Sequence, residues 1–148
     1  MKKVSVIKNF AILAFLLAGM IALPAIHADE SNQAIQVTFK QPVQIPGHVL
    51  PAGTYWLVVP KDASLHNEVL VLNSDRSMML ATLITVNAQR AESTDRAAFT
   101  FAERGSGQAQ VLVTWFYPGR LDDHQFLYPT QVEKELAKDK RDTVVAGD

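Results

Sequence analysis

Asp122, Asp123 and His124 stand side by side in the chain, and their types could do chemistry. Two carboxylates beside an imidazole supply metal ligands, or a base together with the group that orients it. A metal site needs three or four donors converging on one ion, and adjacent residues in a turn rarely converge. Further donors would have to come from His48 or His66, both in stretches that read as loops. No HExxH spacing is present. Asp is also common in turns because it caps local backbone amides. The set Asp122, Asp123, His124 and His66 is therefore the lesser of two candidate sites, and no cofactor is expected.

Nucleophilic catalysis has less to build on. There is no GxSxG elbow, and Ser64, Ser74, Ser77, Ser93 and Ser106 fall in turns and loops. Gly105-Ser106-Gly107 is too short to cradle a phosphate, and no GK[ST] follows it. The chain has no Cys, which removes thiol catalysis, Cys-ligated metals and a disulfide framework. Paired carboxylates for glycoside hydrolysis stay open, because their separation in space is invisible in a sequence.

The aromatics form the stronger candidate. Trp56, Trp115, Tyr117 and Tyr128 together offer flat apolar faces with polar tips, which suits a sugar or another flat ligand. Trp115 and Tyr117 are two apart and so share one face of a strand. The simpler reading of the same spacing is packing against a sheet or against a C-terminal helix carrying Val132 and Leu136. If a ligand binds, these rings rank before the carboxylates.

The elements that must position these residues are mostly strands. Ile35, Val37 and Phe39 alternate with polar neighbours, the period of a half-buried strand. Gln41 to Gly53 holds three prolines and two glycines and is expected to be a loop. Further strands are expected over 54–59, 68–72, 78–86, 97–103 and 110–117, with turns at 73–77 and 104–108. Thr130 and Glu133 have the spacing of a capping box, so a short helix is expected from Gln131 to about Lys140. Gly119 to Gln125 is expected to be a loop, and residues 143–148 a flexible tail.

The N-terminus has the order of a secretory signal peptide. Lys2, Lys3 and Lys8 precede the uncharged run Phe10 to Leu23, and Pro24 to Ala28 then leads to Asp29-Glu30. Cleavage is expected after Ala28, which leaves a single exported domain, 29–142, and its tail. Losing residues 1–28 takes three lysines and no acid from 14 basic and 15 acidic residues, moving the net charge from −1 to about −4. Bulk charge therefore attracts neither nucleic acid nor anionic lipid, and membrane contact is expected only through the leader.

LPAGTY (50–55), the polar turn before MMLATLITVNAQR (78–90), FTFAE (99–103), WFYPG (115–119), and FLYP (126–129) with the ELAK segment after it form an ordered set. In that order, from Phe39 to Lys138, the chain resembles a group of small exported bacterial β-rich proteins. The resemblance implies an exported β domain and carries no activity, substrate or catalytic residue. Members of that group often have a glycine–acid pair before the FxYP segment, where this chain has Leu121 to Gln125.

The expectation is thus an all-β protein: one antiparallel β-sandwich or partly open barrel of about six strands with a short C-terminal helix. Its expected role is that of a non-enzymatic binding module of the cell envelope, periplasmic or extracellular, acting on a carbohydrate, a lipid or an envelope protein. The alternatives are a small hydrolase or metal-dependent enzyme using the acid–His residues, and a structural accessory domain of an envelope assembly.

Overall fold

The structure, a computed structural model, describes residues 26–29, 33–61 and 67–145. Eleven strands and one helix follow in order: β1 (Ile26–Asp29), β2 (Ala34–Phe39), β3 (Val43–Ile45), β4 (His48–Leu50), β5 (Gly53–Val58), β6 (Glu68–Asn73), β7 (Met79–Gln89), β8 (Ala98–Ala102), β9 (Gln110–Phe116), β10 (Asp122–Phe126), α1 (Thr130–Leu136) and β11 (Arg141–Val145). The all-β class is as expected, and the six strands read from periodicity are β2, β5, β6, β7, β8 and β9. The other five are additions.

Each addition has a local cause. The stretch expected to be a loop between Gln41 and Gly53 is a hairpin, because its prolines bound the strands instead of interrupting them. Pro42 precedes β3, Pro51 follows β4, and Pro46-Gly47 makes the turn, with Ile45 paired to His48. Gly47 has φ +79°, the position where a Pro–Gly turn needs a residue without Cβ. The expected loop over 119–125 gives way to β10, which fits between β7 and β9 and has partners on both edges. The expected tail at 143–148 is corrected for Thr143–Val145: β-prone residues there extend β11 along the open edge of β8. β1 takes up Ile26, His27 and Ala28, the last residues of the expected leader, beside β2. The remainder of the leader lies outside the described residues.

The strands form one sheet that does not close, ordered β1-β2-β5-β6-β7-β10-β9-β3-β4, with β8 and β11 on the other edge of β9. β7 is the strand the two halves share. Its first half, Met79 to Ile84, pairs with β6, and its second, Thr85 to Gln89, pairs with β10. β9 is similarly divided on one edge, where Gln110 and Val111 meet β3 and Thr114 and Trp115 meet β10. The halves face each other: the rings of Phe39 on β2 and Phe101 on β8 lie 6.2 Å apart, edge to face. Between them runs the main apolar core, which includes Leu57, Val69 and Leu83 from one half and Phe99, Leu112 and Trp115 from the other. Burying each such side chain contributes about 1.5–3 kcal/mol.

The helix closes one end of this core. Leu136 is buried and Val132 packs beside it. The capping differs from the expected box. Pro129 is the N-cap, Thr130 caps nothing, and the Glu133 carboxylate accepts from the amide of Tyr128 at 3.0 Å. Proline has no hydroxyl to offer, so the reach-back by Glu133 is the half of the box that survives. Arg104 at the end of β8 holds the helix from outside, 3.1 Å from Glu135 and 3.6 Å from Asp139.

Candidate functional site

At the end of the core where β7 passes from one half to the other, a cleft of about 660 Å³ opens. One wall comes from the β5 end, with Val59, Pro60 and Lys61, and from Gln33 and Asn67. The other comes from Thr85 and Asn87 on β7 and from Asp122, Asp123 and His124 on β10, beside Arg120.

Strand register decides which side chains meet there. Thr85 pairs with Phe126 and Asn87 with His124. Thr85 continues the buried face of β7 set by Leu83. His124 lies opposite Trp115 on β9, and the imidazole stacks on the indole with centroids 5.5 Å apart. Its Nδ1 lies 3.0 Å from the Thr85 hydroxyl. Its Nε2 lies 3.0 Å from Oδ1 of Asp123, near enough for an ion pair but without the alignment of a hydrogen bond.

Asp123 has a second duty. The β9–β10 ladder ends at Trp115 and His124, so the amide of Tyr117 has no backbone carbonyl to meet. Oδ2 of Asp123 accepts from it instead. Arg120 brings a positive charge to 3.8 Å of the same oxygen. This accounts for a carboxylate whose side chain is only 1 % exposed: a buried charge must be hydrogen-bonded or paired.

The result is a hydroxyl, an imidazole and a carboxylate in line, drawn from two strands. Three polar atoms around it have no hydrogen-bond partner among the described residues: Nε2 of His124, Oδ1 of Asp123 and Nε1 of Trp115. Buried polar atoms left over in this way mark places where water or a ligand completes the bonding.

The sequence-expected site residues fare unequally. Asp123 and His124 come together, though on a strand rather than in a turn. Asp122 stands exposed at the start of β10, its backbone carbonyl accepting from Arg120 Nε at 3.1 Å. His66 lies outside the described residues, and among those residues no group of three or more His, Cys, Asp or Glu is placed to hold a metal ion.

The four aromatics share no exposed face. Trp115 is fully buried and Tyr128 nearly so, with its hydroxyl turned inward to the carbonyls of Leu112 (2.6 Å) and Gln44 (3.2 Å). Tyr117 is half-buried with its ring 6.4 Å from that of Trp115. Trp56 is on the opposite half of the sheet. Its indole donates to Ser74 O at 3.0 Å, and the Arg76 guanidinium sits 3.5 Å above its ring. The expected platform is therefore corrected: two of its rings are core, and the half-exposed Trp56 is covered by a cation.

No family model matches the chain, and neither the curated proteins nor the solved structures compared with it give a match. The site must be read from its own geometry. Thr85, Asn67, Asn87 and Gln33 were missed in the sequence. For Thr85 there was a signal, a hydroxyl two residues after Leu83 on the face that must be buried.

Proposed function

We propose that this protein is a non-enzymatic binding module, exported to the cell envelope, that takes a small polar molecule in the cleft beside His124. The observation that carries this reading is the composition of the cleft around a fixed wall. Gln33, Asn67 and Asn87 bring amides, each with donors and an acceptor. Lys61 lies on one wall and Arg120 and Asp122 on the other, so both signs of charge line the cleft. Val59, Pro60 and Val86 supply apolar surface. A few placed polar groups on a partly apolar wall are what a small-molecule site requires. Zwitterions of amino-acid size and monosaccharides match that mixture.

A second reading, hydrolysis with the Thr85 hydroxyl as nucleophile, has one observation in its favour. The order Thr85–His124–Asp123 is that of a nucleophile, a base and its orienter. Burial weighs against it, because Thr85 is only 2 % exposed and a nucleophile must reach its substrate. We favour a positioning role for the three, holding β10 against β7 so that the cleft keeps its shape.

Thermal unfolding against a panel of amino acids and monosaccharides tests the binding reading. A ligand at about 100 times its Kd stabilises the folded state by about 2.7 kcal/mol. The expected result is a raised midpoint with at least one member, lost in Asn67→Ala. A flat panel, or turnover of an ester substrate abolished by Thr85→Val, would favour the other readings.

A further inference from the structure

Among the described residues the sheet ends at three strands, β1, β4 and β11. Two of these edges are protected. β4 has only three residues, with Pro46 before it and Pro51 after it, and β11 opens on the exposed charges of Arg141 and Asp142. Short strands, prolines and charges all discourage a further strand. The third edge differs. β1 covers β2 antiparallel, with Asp29 opposite Ala34, Ile26 opposite Gln36 and an irregularity between. If the chain is exported as proposed above, on which this inference rests, cleavage after Ala28 takes Ile26, His27 and Ala28 and leaves only Asp29 of β1.

The edge bared in this way has none of the protecting devices. β2 (AIQVTF) has six residues, no charge and no proline, and it pairs with β5 at six successive positions without a bulge. Ile35, Val37 and Phe39 belong to the core, and Gln36 and Thr38 alternate with them, half-buried on the outer face. A regular, uncharged edge of β-prone residues is a template for another strand. β1 occupies it as such a strand while the end of the leader is in place.

The order of residues in β2 selects the occupant. Read from either end, IQVTF alternates apolar and polar about Val37. Two copies of β2 set antiparallel about a two-fold axis at Val37 place Ile35 opposite Phe39, Val37 opposite Val37 and Gln36 opposite Thr38. The apolar row then stays on the core side of both sheets and the polar row on the outer side, as strand register requires. The exposed Lys40 of each copy comes beside the start of the other's β2, which in the cleaved chain follows the acidic end Asp29-Glu30. Opposite charges on neighbouring strands add to pairing. A self-complementary edge is what an isologous dimer needs. We propose that the cleaved chain pairs with a second copy of itself through the edge of β2, and that β1 keeps this edge closed until the leader is removed.

The test is to express the full chain with its leader, collect the exported protein, read its N-terminus by mass spectrometry and follow its mass by sedimentation up to about 1 mM. The expected result is an N-terminus at Asp29 and a monomer–dimer equilibrium with a Kd of about 100 µM or tighter, since one strand pair makes a small interface. Gln36→Lys with Thr38→Lys sets like charges opposite one another and is expected to give monomers, as is Gln36→Glu with Thr38→Glu. Mixing these two variants is expected to restore the dimer, which two misfolded chains would not do. A processed chain that stays monomeric at about 1 mM, or that meets only a different protein along β2, overturns the dimer and leaves the export reading standing. Dimers formed by each charge variant alone, or a mixture that stays monomeric, overturn it as well. An N-terminus at Ile26 keeps β1 and overturns the dimer, and one at Met1 overturns the export reading with it.

Discussion

The Thr85 hydroxyl lies 3.0 Å from Nδ1 of His124, across 39 residues of sequence. This contact joins the two strands on which the cleft is built. Replacing Thr85 by Val keeps the shape and leaves a buried ring nitrogen without its partner. The expected cost is about 1–3 kcal/mol in chemical denaturation, with Thr85→Ser retaining most of the stability. Equal stability of Thr85→Val and the parent would show that the contact contributes nothing.

Asp123 carries a heavier share, because it substitutes for a backbone carbonyl and flanks His124 at once. Asp123→Ala leaves the Tyr117 amide unmet and Arg120 without its charge partner and is expected to cost about 2–4 kcal/mol. Asp123→Asn keeps an acceptor for the amide and should cost clearly less. Urea unfolding of the two variants side by side checks the order.

Tyr128 gives the fold an alkaline limit. Burial, with the Glu133 carboxylate adding to it, pushes the phenol well above its ordinary 10.0. The folded state thus holds this proton more tightly than the unfolded chain does. The stability it contributes is whole below about pH 10 and is lost as the pH climbs toward the raised value. Tyr128→Phe removes a donor shared by Leu112 O and Gln44 O, at an expected cost of about 1 kcal/mol at neutral pH. It should also flatten the fall in stability above pH 10, as a melting series from pH 8 to about pH 11 would show.

The last strand matters more than its place near the chain end suggests. β11 covers the edge of β8 through five paired residues. Deleting residues 141–148 bares that edge, and exposed edges pair with other chains. The truncated protein should unfold at a lower temperature and associate with rising concentration, as light scattering would report. Unchanged melting and a monomer would contradict the pairing.

The fold was legible where the sequence alternates. Val37, Phe39, Tyr55, Leu57, Phe99 and Phe101 announce their strands, and all are core. It was illegible where a strand depends on its neighbours. Asp122–Phe126 has no apolar alternation and becomes β10 because β7 and β9 hold it on both edges. Around β3 and β4, prolines that read as breakers turn out to be boundaries. The site divides in the same way. Asp123 and His124 stood out by type, whereas Thr85 and the amides gain meaning only once strand register sets them beside the imidazole. The aromatics misled because Trp115 and Tyr128 serve the core, which a chain without disulfides must build from its large side chains.

Heteronuclear NMR of the chain, titrated with the amino acid or monosaccharide that best raises its melting temperature, tests the binding cleft most directly. The expected result is a set of saturating shifts confined to the side-chain amides of Asn67 and Asn87, the His124 ring and the Trp115 indole N–H. Shifts that leave these four signals unmoved, or that gather elsewhere on the sheet, would contradict a ligand site beside His124.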